Sequence, residues 1–500
     1  MQGGVMSTLR PIFVHCRPDA GYDLRFDTIM MVSMGVASLN QVAYQILGYP
    51  GVAIDETFIG SGIPDDGERA HLFDLTSGLV EEYLIAGDQP VIMCTLLSYN
   101  ALGTDSFLRQ MKHRFGSQLI TGVGGQHITM CSEACTAWRT KPYIDRVANG
   151  DAEVTLQELF NGQPYAQGKK TIMSSDHYAR PYYGGYIGLE DRLQEMSRFN
   201  LRGIKNMRML LTESVRGCSW AVALGKACEM CALDVLLPLF FRGFPEHFAI
   251  EAELADMYGV NWIFDVSNQW LPAQGSAEQV KWLEGYCAAR VRYDGPDISK
   301  YVYLTTNSVT KETAPLLRQA GVQIAYVGID GWDARTRREL HKTQYDPFKM
   351  LDAAKSSGLL VRTSMVIGSG ITSENIRELP KFVKAILDGY GDTVLSFGTF
   401  MEIILPGAEN WRQFREMCFS GASELQRGRE LYASFDVHGF LDLDQQEELN
   451  LLRIQHTQQT LLDDILAAKA EAEELILASE TLSIDIRHGD HLDEGSDFDH

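Results

Sequence analysis

Short apolar runs alternate with longer amphipathic stretches from the N-terminus to about residue 410, the pattern of strands and helices taking turns. In the first part, Pro11 to Val14, Val52 to Asp55 and Val91 to Thr95 read as strands, and Ser38 to Leu47 as a helix. Leu119 to Gly125 reads as a further strand running into a glycine-rich turn. Strands joined by helical stretches need crossover connections, which gives a parallel sheet over residues 1–165. Ligands of such sheets sit beyond the carboxyl ends of the strands, where Asp55, Ser98, Gly124, Gly125, Gln126 and His127 fall. Glycines at that edge either let a flat cofactor approach the backbone or only make tight turns.

Residues 206–410 repeat the alternation. Strands are expected just before Cys218 and at Trp262 to Asp265, Tyr301 to Thr305, Gln323 to Ile329, Leu360 to Ile367 and Phe400 to Leu405. Helices are expected at Pro245 to Tyr258, Ala277 to Ala289, Lys311 to Ala320, Pro347 to Ser357 and Glu374 to Leu387. Six such units suffice for a partial β/α barrel, whose chemistry gathers at the carboxyl ends of its strands. Residues 166–205, with Tyr178, Tyr182, Tyr183 and Tyr186, read as a linker, and 411–480 as a helical region with Leu451, Ile454, Leu461, Leu462 and Ile465 at helical spacing. The last stretch, 481–500, is acidic and reads as a disordered tail; a metal role for His488, His491 and His500 is the weaker alternative.

Charge narrows the partners. Forty-four basic against sixty-six acidic residues give a formal charge of −22, which disfavours nucleic acid or an anionic membrane as main partner. Nine scattered cysteines in a chain of this length do not make a disulfide framework, so a reducing cytoplasm is expected. Neither a leader-like segment nor an apolar run of about eighteen residues is found, which predicts a soluble, unexported protein.

Three of the cysteines, Cys218, Cys228 and Cys231, stand close together after the first strand of the second part. A [4Fe–4S] cube normally takes four thiolates, so three leave one iron open to a ligand. A zinc site using Cys228 and Cys231 is the alternative, though no second Cys-x2-Cys or paired histidine follows. Cys131 and Cys135 have no third partner, and with Cys16, Cys94, Cys287 and Cys418 they read as packing residues.

Taken together these pieces resemble the cobalamin-binding radical S-adenosylmethionine (SAM) enzymes, over roughly residues 10–410. Thr121-Gly-Val-Gly-Gly-Gln-His-Ile-Thr129 and the later Asn149-Gly-Asp-Ala-Glu-Val-Thr-Leu156 are similar to the family's "GG-x-H-x-T" and "G-E-x-E-x-T-L" passages, with Asp151 in place of the first glutamate. Tyr326 to Gly331, Met365 to Gly370 and Leu405 to Ala408 resemble its "GIES", "fiiGlPg" and "PGT" strand ends. The cysteine spacing departs from the family's C-x3-C-x2-C, being C-x9-C-x2-C. Loop closure over the longer gap is cheap enough for all three sulfurs to reach one cluster.

The resemblance implies a Rossmann-like cobalamin domain followed by a partial radical SAM barrel and a helical C-terminal region. It implies a [4Fe–4S] cluster on Cys218, Cys228 and Cys231, with SAM and cobalamin beside it, and an electron donor such as flavodoxin or ferredoxin. Asp265, Asn268, Asn307 and Asp330 are the expected polar contacts to SAM, and Ile367 and Leu405 its apolar ones; helix capping or rim solvation is the plainer role for the polar four. Thr57 stands where a cobalt-ligating histidine would be, so none is expected on cobalt; His127 is the nearest candidate for that role, and lining the nucleotide tail or bonding within its loop is the plainer one. Arg216 either positions the SAM carboxylate or pairs with an acid. The implied activity is methyl transfer from SAM to an unactivated carbon of a small molecule through a 5′-deoxyadenosyl radical. Alternatives are a radical rearrangement without methyl transfer and a non-catalytic cobalamin-binding protein.

Overall fold

The computed structural model describes residues 8–16, 34–56, 66–168, 180–198, 201–218, 228, 231, 240–241, 244–271, 276–339, 346–368, 371–401, 404–421, 423–457 and 462–479. In chain order the strands among them are β1 (Leu9–His15), β2 (Val52–Asp55), β3 (Gln89–Thr95), β4 (Ile120–Gly124), β5 (Arg146–Asn149), β6 (Tyr165–Gln167), β7 (Met209–Thr212), β8 (Val215–Arg216), β9 (Phe240–Phe241), β10 (Trp262–Asp265), β11 (Ser299–Thr305), β12 (Val322–Gly328), β13 (Leu360–Ile367) and β14 (Val394–Met401). Two parallel six-stranded sheets contain twelve of them, in the orders β2-β1-β3-β4-β5-β6 and β14-β13-β12-β11-β10-β7. The two sheets belong to two compact units, each drawn from separated stretches of chain.

The first unit comprises 1–189, 215–241 and 402–459. Its sheet core of Ile12, Val14, Ile54, Ile92, Val123 and Val147 is continuous with Ile404, Trp411, Phe414, Tyr432, Phe435 and Leu449. The Trp411 ring meets Phe435 and Tyr432 edge-on at 4.6 and 4.7 Å. Residues 411–480 are therefore not one appended helical region. The helices Glu409–Phe419, Gln426–His438 and Leu443–Thr457 fall within the first unit, whereas Leu462–Ala478 packs on Leu379–Tyr390 in the second. The tail, 481–500, and Tyr178 lie outside the described residues.

The second unit comprises 190–214, 242–401 and 460–500. Local signals fix several of its boundaries. Pro347–Ser357 starts with Pro347 at its first turn and Asp346 accepting from the Phe348 N–H at 3.0 Å, and it ends at Gly358 in the left-handed region. The last strand differs from expectation: it is Val394–Met401, not Phe400 to Leu405. Its register on β13, from Val361 opposite Val394 to Ile367 opposite Met401, ends the pairing there. Beyond it, Ile404 donates its N–H to Asn450 Oδ1 at 2.8 Å and accepts from Gln446 Nε2 at 2.9 Å, within the first unit. No described helix is long and apolar enough to cross a membrane.

Gly407 fastens this return segment. Its φ is +90°, and a Cβ there would run into the Met130 carbonyl oxygen. Gly407→Ala is expected to lower the stability of the chain by roughly 1–3 kcal/mol through forced left-handed strain and displacement of Met130, read as a lower urea midpoint; an unchanged midpoint would contradict the packing.

Candidate functional site

In the first sheet all strands share one direction, so His15, Asp55, Thr95, Gly124 and Asn149 end on one edge. Strand order reverses between β1 and β3, where an open α/β sheet leaves a crevice. Gly125 has φ +106°, and its Cβ would meet the Leu96 carbonyl oxygen at 2.7 Å. A tight backbone approach within the chain therefore already requires glycine at that position. His127 is buried, its Nδ1 3.1 Å from Ser98 Oγ and its Nε2 against the Gly439 carbonyl. A carbonyl only accepts, so Nε2 carries the proton and Ser98 donates to Nδ1. Burial lowers the His127 pKa, and both ring nitrogens are engaged within the protein. Gln126 is exposed and Asp55 fully buried. His15, which sequence reasoning missed, lies in register with Asp55; its buried Nδ1 has no hydrogen-bond partner, and burial lowers its pKa.

The chain enters the cysteine stretch through β8, paired antiparallel with β9. Cys218, Cys228 and Cys231 are half-buried, and the Cys231 N–H donates to the Cys228 carbonyl at 2.9 Å. The other six cysteines are buried. Burial pushes the Cys131 thiol up to about 12, a poor metal ligand. Exposure thus separates the three loop thiols from the six packing ones. The stretches between them lie outside the described residues. Arg216 pairs with acids: its guanidinium is 3.0 Å from Asp151 and 3.3 Å from both Glu153 oxygens.

In the second sheet Thr212, Asp265, Thr305, Gly328, Ile367 and Met401 mark the carboxyl ends. Asn268 is exposed and Asn307 half-buried, accepting from Thr305 Oγ1. Asp330 is half-buried with φ +57°, a left-handed position that a non-glycine residue rarely holds without a local reason. Ile367 is fully buried. Asp265 and Leu405 differ from these in burial and in unit. Asp265 is fully buried, with one oxygen accepting from the Ser267 N–H and the other against His247, so it is a positioning group inside the unit. Leu405 follows the end of β14 and belongs to the return segment of the first unit.

The sheet also carries a row of side chains that the sequence did not single out. Lys300 on β11 faces Glu251 and Tyr286 of the flanking helices Phe244–Tyr258 and Ser276–Val291. Alternation therefore turns Tyr301 and Tyr303 to the opposite face. There Tyr303, Tyr326, Arg362 and Ser396 sit side by side across four strands. Arg362 donates to Ser396 Oγ and to the Tyr301 hydroxyl, each at 2.9 Å, and Tyr326 to Ser364 Oγ at 2.7 Å. Polar residues at every second place of a strand, Tyr301 and Tyr303 on β11 and Arg362 and Ser364 on β13, were the signal available in the sequence.

No family model matches the chain. An uncharacterised methyltransferase of Pyrococcus horikoshii is 20% identical over 391 residues, covering 72% of this chain and 78% of the relative. Among solved structures, the radical SAM methyltransferase TsrM from Kitasatospora setae, with cobalamin and a [4Fe–4S] cluster bound, superposes with a TM-score of 0.55 at 14% identity, over 83% of this chain and 75% of that one. OxsB, a cobalamin-dependent SAM radical enzyme with aqua-cobalamin and SAM bound, gives 0.59 at 10% identity, over 94% and 79%. The chain has the fold of the cobalamin-dependent radical SAM enzymes.

Within that radical SAM fold the second unit holds a buried ionic quartet. His247 Nε2 is 2.9 Å from Glu251 Oε1 and 3.1 Å from Asp265 Oδ2, and Lys300 pairs with the same Glu251 oxygen. His247, Glu251 and Asp265 form a group of metal-type ligands gathered within 4.8 Å, yet the Lys300 ammonium already supplies a cation there. Burial works against charging His247, but Glu251 and Asp265 outweigh it and raise its pKa. The Trp270 indole N–H, 3.3 Å from the same nitrogen, needs it bare and so belongs to the neutral form. Burial likewise opposes charging Glu251, and His247 with Lys300 outweighs it, holding the carboxyl down to about 2.

Because the folded pKa of His247 is raised, its contribution to stability is complete below the ordinary histidine range of about 6.5 and is lost as pH rises through the folded value. Urea midpoints are expected to fall on going from about pH 6 to about pH 9, and His247→Gln to flatten that fall. Glu251 acts at the other end, its contribution present above the ordinary carboxylate range and lost as pH drops toward about 2. Lys300→Met, which strands Glu251, is expected to destabilise by about 3–5 kcal/mol in the same assay.

Proposed function

We propose that this chain is a cobalamin-dependent radical SAM methyltransferase that acts on an unactivated carbon of a small molecule. The observation that carries the reading is the set of three half-buried thiols, which follow β7 in sequence and are counted with the first unit, while the other six cysteines are packed away. Thiols are the donors that an iron–sulfur cluster requires, and these three keep part of their surface where the other six do not. In this reading Cys218, Cys228 and Cys231 hold a [4Fe–4S] cluster. Asn268, Asn307 and the strained Asp330 would contact SAM at the strand ends, and Ile367 would offer apolar surface to its adenine.

Cobalamin is assigned to the carboxyl edge of the first sheet, in residues 1–165. The unpartnered His15 Nδ1 and the reversal of strand order between β1 and β3 support it. Ser98, Gly124, Gly125, Gln126 and His127 shape the rim, with His127 locking the β4 turn by its two hydrogen bonds. When bound, the cluster, SAM and cobalamin supply one-electron reduction and a carried methyl group. The protein's own part is to orient them and exclude water. The Tyr303, Tyr326, Arg362 and Ser396 row is the polar surface offered to the small molecule, and a donor of the flavodoxin or ferredoxin class delivers the electrons.

Anaerobic reconstitution with iron and sulfide is expected to give the broad visible absorbance of a [4Fe–4S] cluster, and Cys218→Ala, Cys228→Ala and Cys231→Ala each to abolish it. With reductant, hydroxocobalamin and methyl-labelled SAM, label should appear on the cobalamin. A wild-type protein that takes up no iron sinks the enzyme reading; a cluster without label transfer removes the methyltransferase.

A further inference from the structure

The corner after β5 is built in an unusual way. Gly150 has φ +117°, and its N–H donates to Thr129 Oγ1 at 3.1 Å, while the Thr129 N–H reaches the Gly125 carbonyl at 3.0 Å. These bonds tie the glycine turn of β4 to the Gly150 corner, so the two motif passages form one rigid edge. Asp151 then stands at the N-cap of the helix Ala152–Phe160 with cap-like dihedrals, φ −66° and ψ 134°. An N-cap aspartate ordinarily accepts from the amides of the first turn. Asp151 makes no such bond. Its carboxylate faces Arg216 at 3.0 Å instead, and Glu153, one turn position further, takes the same guanidinium with both oxygens at 3.3 Å. The Glu153 side chain is only 5% exposed and that of Arg216 21%, so this is a largely sheltered, forked contact rather than a loose surface pair. Helix capping does not account for Asp151.

Arg216 ends β8, and Gly217, with φ +96°, turns the chain directly into Cys218. We infer that Asp151 and Glu153 are positioning residues for the cysteine stretch, holding its entry through Arg216. The inference rests on the cluster reading above and adds to it a specific anchor. A nine-residue gap between the first two cysteines leaves Cys218 poorly constrained by its own sequence. Fixing Arg216 on two acids restricts the backbone two residues ahead of the sulfur, which reduces the ordering that the cluster would otherwise have to impose. The planar fork of arginine suits this role better than a lysine point charge.

The test compares wild type, Arg216→Met, Arg216→Lys, the double variant Asp151→Asn/Glu153→Gln, and Cys228→Ala. Each is reconstituted anaerobically with iron and sulfide and challenged with a chelator, and thermal unfolding of the metal-free proteins is measured in parallel. Arg216→Met and the double variant are expected to retain iron about tenfold more weakly than wild type, with metal-free unfolding temperatures within a few degrees of it. Arg216→Lys should recover part of the retention. The electron paramagnetic resonance signal of the reduced cluster should broaden in the weakened variants, a change that loss of fold stability alone does not produce. Wild-type retention in both Arg216→Met and the double variant would overturn the inference, as would loss in Arg216→Met without loss in the double variant. Wild-type protein holding no more iron than Cys228→Ala would instead overturn the cluster reading beneath it.

Discussion

Parallel pairing is the constraint on which everything else in this molecule depends. Twelve strands run in one direction within their sheets, so every connection must travel back along a helix and every strand ends on the same edge. Turns, caps and polar side chains that interrupt the apolar runs are thereby collected into two rims. Chemistry placed at the end of any one strand becomes a neighbour of chemistry at the end of the next, however far apart the two lie in sequence.

Burial then sorts the polar groups at those rims. Asp265 and His127 are held by partners on all sides, whereas Asn307, Asp330 and the three loop cysteines keep part of their surface. The quartet of His247, Glu251, Asp265 and Lys300 shows why the first kind is poorly suited to bind a ligand. Charges withdrawn from water need mutual compensation, and releasing one to a substrate strands the others. The same network has a structural reach. Asp265 accepts from the Ser267 N–H, and Ser267 Oγ accepts from the Ser214 N–H at 2.9 Å, so the quartet fixes the end of the chain segment that leads into β8.

Several strands of both sheets were legible because their signals are local, whereas Arg146–Asn149 and Tyr165–Gln167 of the first sheet were not expected. Trp262–Asp265 and Leu360–Ile367 stand where their apolar runs put them, and Pro347–Ser357 begins and ends at a proline and a glycine that dictate their own backbone angles. The cysteine trio stands out by its spacing, which is a property of sequence, and the structure adds only that these three are less buried than the other six. Phe400 to Leu405 misled because two apolar stretches adjoin there, and only pairing with β13 decides which one is the strand.

What the sequence by itself determined is the alternation of strand and helix, the direction of the sheets and the identity of the thiols, all set by periodicity and residue chemistry over a few turns of chain. Tertiary structure alone decided that Trp411, Tyr432 and Phe435 complete the core of the first sheet, that Tyr303, Tyr326 and Arg362 line up on one face of the second, and that Asp151 holds Arg216 instead of capping its helix. Each of these is a choice of partner among distant residues. Such choices follow from complementary shape and charge brought together by the fold, which no local pattern encodes.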